Sequence, residues 1–152
     1  MYIARQVKSN YNGNRHSKKG ISEMKSTVLC YNLKGTKKGK KITMIFGYLG
    51  YRVRHVEKKE YLKPIGILVG MDEEKEASAD YEGAGFDTEM LVMHAATEEM
   101  LDKALFLMRK EGVKVDLKAM VTPNNRSWTS LELQEEIAKE HRYMTEKNRG
   151  QE

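Results

Sequence analysis

The sequence predicts an α/β (α+β) domain: a two-layer sandwich in which a sheet of about four strands, drawn from two strand–helix–strand units, carries their helices, with one more helix at the C-terminus. Three observations lead there. Short apolar runs at 28–31 and 90–93 each precede a segment with apolar residues at helical spacing, and each segment closes on a glycine, Gly50 or Gly112, before a run of strand length. Shifting the chain by 62 positions lays Leu29 on Leu91, Gly50 on Gly112 and Val53 on Val115. The 152 residues suffice for one domain whose core needs neither disulfides nor metal.

Taken in order, residues 1–24 are polar, basic and rich in turn formers, with no period of 2 or 3.6. They read as a disordered, dispensable tail, and Met24 is a candidate translation start. The domain spans 25–146. In its first unit (25–70), Val28, Leu29, Cys30 and Tyr31 form a buried strand. Ile42, Ile45, Phe46 and Leu49 then share one helical face, and Arg52 to Val56 form a second strand. Residues 57–70 suit a short helix or irregular apolar segment, and 71–88 an acidic surface loop. The second unit (89–146) has a strand at Met90, Leu91, Val92 and Met93. Its helix is N-capped by Thr97, with Glu98 and Glu99 in the first turn, and an alternating strand follows over 113–121. Thr129 and Glu132 form a capping box, opening a last helix that runs to about Met144 and frays from Thr145.

Linker lengths allow two topologies. In a ferredoxin-like sheet, the favoured one, strands 1 and 3 run antiparallel, which puts Asn32 and His94 at opposite ends. In a small parallel, doubly wound sheet, Asn32, His94 and Thr122 would gather at one edge, where such folds bind ligands.

Charge is unevenly distributed. Residues 25–66 carry eleven Lys/Arg against two Asp/Glu, and residues 67–152 carry eleven against nineteen. The basic half suits an anionic partner, unless the two halves pair with each other. The single cysteine, Cys30, can form no internal disulfide and reads as an inert buried thiol. With no signal peptide or membrane-length apolar run, the expected location is the cytoplasm, away from any membrane.

From about Lys25 to His141 the chain resembles a bacterial family catalogued as a domain of unknown function, DUF3783. The resemblance rests on Lys118-Ala119, Thr122-Pro123-Asn124-Asn125, Trp128, Leu133 and Glu140-His141. It implies a family and no mechanism.

Two segments are candidate sites. The loop Thr122 to Trp128 gathers Thr122, Asn124, Asn125 and Arg126 around the only tryptophan, Trp128, with Lys118 before it and His94 at the end of strand 3. Asn can read amides and Arg can clamp carboxylates or phosphates, so this is a candidate ligand or partner site. The structural alternative has Pro123 ending the strand, the asparagines satisfying turn backbone and Trp128 stapling the helix. The second segment places Lys37, Lys38, Lys40 and Lys41 at a helix N-terminus, where the dipole disfavours cations and a bound anion would offset the penalty. It is no nucleotide loop: three residues rather than four separate Gly35 and Gly39, and Lys41 stands where Ser or Thr is required. No histidine has a metal-ligand spacing, no catalytic residue is assigned, and no cofactor or metal is expected. Ser127 with His141 lacks a nucleophile elbow. The reading is a non-catalytic module binding a small anion or protein partner. The alternatives are an enzyme on a small anionic substrate, with His94 as acid–base, and a nucleic-acid binder. The last is disfavoured because Tyr31, Tyr48 and Tyr51 make no stacking platform.

Overall fold

The computed structural model describes residues 25–150; the expected tail lies outside them. Strand β1 (Thr27–Tyr31) leads through helix α1 (Lys37–Tyr48) to β2 (Arg52–Val56). A 3₁₀ turn (Lys58–Glu60) and a one-turn helix α2 (Ile65–Leu68) precede a long irregular stretch. The second unit is β3 (Met90–His94), α3 (Glu98–Lys110) and β4 (Leu117–Met120), and α4 (Ser130–Gly150) closes the chain. No helix among the described residues is long and apolar enough to cross a membrane.

The sheet order is β2-β1-β3-β4. Each unit is a parallel pair, with Thr27 beside Arg52 and Met90 beside Leu117. The two units meet along an antiparallel seam in which Thr27 faces His94 and Tyr31 faces Met90. The seam is the one expected of the favoured topology, and it rules out the all-parallel alternative. The order differs from a ferredoxin-like sheet, where each crossover skips a strand; here the strands joined by each helix are neighbours.

Right-handed crossovers in two oppositely directed units place both helices on one face. Val28, Cys30, Leu91 and Met93 accordingly share a buried cluster with Ile42, Ile45 and Phe46 of α1 and with Leu101, Ala104 and Met108 of α3. Sheet and helices α1 and α3 form the two layers of the expected sandwich. The opposite face, bearing Leu29, Tyr31, Met90, Val92 and Ala119, is covered by α2, Tyr61 and the C-terminal helix through Leu133 and Ile137. Both central strands are buried along their whole length, which is why they read as unbroken apolar runs.

The unit repeat extends to the backbone. Each helix is N-capped by a threonine: Thr36 accepts from the Gly39 amide and Thr97 from the Met100 amide. Each ends in a left-handed glycine, Gly50 (φ 94°) or Gly112 (φ 69°). The next amide then reaches back to the helix, Tyr51 to the Phe46 carbonyl (2.9 Å) and Val113 to that of Met108 (2.8 Å).

Three boundaries differ from expectation. Helix α1 starts five residues before its apolar face, because Thr36 caps it there. Strand β4 is shorter than the alternating run: the Val113 amide is engaged by the helix end and pairing with β3 starts only at Leu117, so Val113 and Val115 are buried outside the ladder. Helix α4 continues past Met144 to Gly150, since no Pro or Gly interrupts it earlier.

Two glycines of α1 give opposite expectations. A β-carbon at Gly39 would collide with the Leu33 carbonyl, whereas one at the exposed Gly47 would meet nothing within 4 Å. Gly39→Ala should therefore destabilise by about 1–3 kcal/mol. Gly47→Ala should stabilise by roughly 0.5–1 kcal/mol. Urea unfolding of the two variants checks both.

Candidate functional site

The Thr122–Trp128 loop is built from its own polar groups. Thr122 and Asn125 are buried and bond reciprocally: the Thr122 amide donates to Asn125 Oδ1 (2.9 Å), and the Asn125 amide donates to Thr122 Oγ1 (3.1 Å). Asn125 Nδ2 also donates to the Met120 carbonyl at 3.1 Å. The asparagine thus acts as a plug that turns the chain out of β4.

The same loop holds α2. The Ile65 and Gly66 amides donate to the carbonyls of Trp128 and Arg126, both at 2.8 Å, and Pro64 bridges to Thr129. Arg126 forks onto Asp72, with Nε 3.2 Å from Oδ2 and Nη2 on Oδ1. A side chain at Gly66 would displace the Asp72 carboxylate and crowd the Arg126 carbonyl, so glycine here gives α2 and the loop room to close into one polar strap. Trp128 is half-buried against the apolar cluster of that face, while Asn124 is exposed. The capping box forms as expected, with the Thr129 amide on Glu132 Oε1 (3.0 Å) and the Glu132 amide on Thr129 Oγ1 (3.2 Å).

His94 lies at the same end of the sheet. It is 4% exposed, and its Nε2 has no hydrogen-bond partner among the described residues. Burial lowers its pKa, the Arg126 charge lowers it further, and Asp72 opposes them. Lys118 is also buried; its Nζ donates to the Val115 carbonyl, and burial pulls its pKa down. Asn32 sits at the other end, as the seam requires, with Nδ2 donating to the Phe86 and Thr88 carbonyls, both at 2.9 Å. The structure therefore brings His94, Thr122, Asn125 and Arg126 together and leaves Asn32 apart. Burial pushes the Cys30 thiol up to about 12, in keeping with an inert core residue.

The lysine-rich helix start divides in two. Lys38 donates to Glu89 (2.6 Å) and to the Lys114 carbonyl (2.8 Å), and Lys41 reaches the Glu111 carbonyl (3.3 Å). Those two tie the basic half to the acidic one. Lys37 and Lys40 are exposed, like Lys34 just before the helix, and none of the three has an ion pair among the described residues.

Beside Lys40 an open groove of about 400 Å³ separates α1 from β2, lined by Gly35, Gly39, Lys40, Thr43, Met44 and His55. Met44 and Tyr48, one helical turn apart, stand 73% and 83% exposed. His55 Nδ1 is enclosed without a hydrogen-bond partner among the described residues, and burial together with the Lys34 charge lowers the histidine's pKa. The sequence reading gave Met44, Tyr48 and His55 no place in a site. Their signal was an apolar pair lying off the 42/45/46/49 face. Among the described residues no group of His, Cys, Asp and Glu could hold a metal ion.

Fold and site together define an α/β domain of two strand–helix–strand units with a closed polar strap at one end and an open basic flank at one edge. Residues 89–144, the second unit and most of α4, match the family described as Domain of unknown function (DUF3783). The match includes the 118–141 stretch on which the resemblance rested and begins at Glu89 rather than Lys25. No curated protein and no solved structure matches the chain.

Two predictions follow from the strap and its histidine. Asn125→Ala strips the partners from the Thr122 amide and the Met120 carbonyl, each worth about 1–3 kcal/mol when left unsatisfied, so the variant should lose roughly 2–4 kcal/mol in urea unfolding. His94 has a folded pKa below its unfolded value of about 6.5, so the unfolded chain binds the proton more readily. Its contribution is complete above that value and is lost as pH falls towards the folded pKa. Stability should drop between pH 7 and pH 5, and His94→Gln should flatten that slope, read from unfolding midpoints across the range.

Proposed function

We propose that the chain is a non-catalytic binding module whose contact surface is the basic flank of α1 and β2, and whose partner is acidic. The observation that carries this reading is the contrast between the two candidate segments. Three polar side chains of the Thr122–Trp128 loop are engaged within the fold, Thr122 and Asn125 by the turn and Arg126 by Asp72. On the flank, Lys34, Lys37 and Lys40 have no ion pair among the described residues, and Met44 and Tyr48 are exposed beside them. Lysines around exposed apolar side chains suit a surface that attracts an acidic partner over distance and holds it by contact. An enzymatic reading would rest on His94, which is buried next to an arginine that already holds a carboxylate.

The test is titration of isotope-labelled protein with poly-glutamate at low salt. Amide shifts should concentrate in residues 34–48, and the double variant Lys37→Glu/Lys40→Glu should weaken binding by about tenfold or more. Shifts centred on 122–128, or none at all, would overturn the assignment.

A further inference from the structure

Strand β2 is an edge of the sheet, and its backbone is more informative than its side chains. The Arg52 amide donates to the Ser26 carbonyl at 2.7 Å. In a parallel pair each residue turns both its N–H and its C=O to the same side, and successive residues alternate. Arg52, Arg54 and Val56 thus bond β1, while Val53 and His55 present their N–H and C=O groups outward. Among the described residues no hydrogen bond reaches those four groups.

The side chains beside this edge form two rims. Register with Leu29 and Tyr31 puts Arg54 and Val56, and with them Arg52, on the α4 side of the sheet. Val53 and His55 lie on the α1 side, where the groove lined by Lys40, Thr43, Met44 and His55 runs between strand and helix. The exposed Arg52 stands on one side of the open edge and Lys34, Lys40 and Met44 on the other.

We infer that the β2 edge accepts an extended acidic polypeptide segment as a fifth strand, with carboxylates directed to Arg52 and Lys40 and an apolar side chain laid against Met44. This rests on the binding reading above and specifies how the partner is held. Alternating outward donors and acceptors select a polypeptide backbone over phosphate, which has no donors to return. The basic rims select acidic side chains. They also disfavour a second copy of this chain, whose own β2 would bring like charges face to face.

The probe is a capped nine-residue peptide with Glu at every odd position and Val and Glu by turns at the even ones, so that one face offers carboxylates to Arg52 and the other a Val to Met44 and a carboxylate to Lys40. On binding, the Val53 and His55 amides should exchange with deuterium at least about tenfold more slowly, because each gains a hydrogen bond. Peptides N-methylated at every second residue, in the two possible frames, should differ: the frame that blocks the pairing edge should not bind. Val53→Pro removes one outward donor and leaves the β1 ladder intact, since proline is tolerated where a strand's N–H faces solvent. This variant should stay folded and lose binding, and the N-methyl peptides decide the matter should it fail to fold. If the peptide binds through Lys40 with neither protection nor sensitivity to N-methylation, strand addition is wrong while the binding reading stands. If protection of Val53 and His55 appears without peptide together with a dimer in sedimentation, the occupant is a second copy and the inference falls. If neither this peptide nor poly-glutamate binds, both readings fall.

Discussion

The antiparallel seam between β1 and β3 is the constraint on which the rest of the structure depends. Two right-handed strand–helix–strand units joined in opposite directions must place α1 and α3 on the same face. They leave the other face bare, and they push β2 and β4 to the edges. The apolar residues of the central strands on both faces then need cover, since burying a large aliphatic side chain contributes about 1.5–3 kcal/mol and leaving it wet forfeits that. Helices α1 and α3 cover one face as part of the units themselves. The other requires material from outside the repeat: Tyr61, α2 and the C-terminal helix.

That second cover accounts for the polar loop. A one-turn helix is too short to be stable alone, and α2 is held by carbonyls of the loop after β4 and by the Arg126–Asp72 fork. Gly66 permits the approach and Asn125 fixes the loop that supplies the carbonyls. Residue types that recognise ligands in other settings here recognise the chain itself. His94 is enclosed at the same corner, where burial and the neighbouring arginine lower its pKa.

Much of this was legible in the sequence, for local reasons. The runs around Leu29 and Leu91 are central strands buried on both faces, and such strands show no alternation to misread. Thr97, Gly50, Gly112 and the Thr129–Glu132 box are helix-end signals that act within one turn. Where the reading failed, the cause was tertiary. The start of α1 was obscured because Thr36 precedes a lysine run with no apolar residue, and Val113 and Val115 alternate like a strand but lie beyond the reach of β3. The irregular stretch after β2 gave no period because its order comes from aromatic contacts, such as Tyr61 stacked on Phe86 with ring centres 4.6 Å apart. For the site, the sequence identified the residues of the loop but could not show that Arg126 meets Asp72, 54 positions away. Nor could it show that Val53 and His55 face outward, because strand order is set by the seam and not by any local signal.

The seam is therefore what a direct measurement should address. The Arg52 bond fixes the alternation in β1, so Val28 opposite Met93 and Cys30 opposite Leu91 are the close, non-hydrogen-bonded pairs of the antiparallel ladder. Nuclear Overhauser spectra of the labelled protein should show strong Hα–Hα cross-peaks for both pairs. Cross-peaks placing Val28 near Leu91 and Cys30 near Met93 would mean a parallel junction, which would bring Asn32 and His94 to one end and contradict the account.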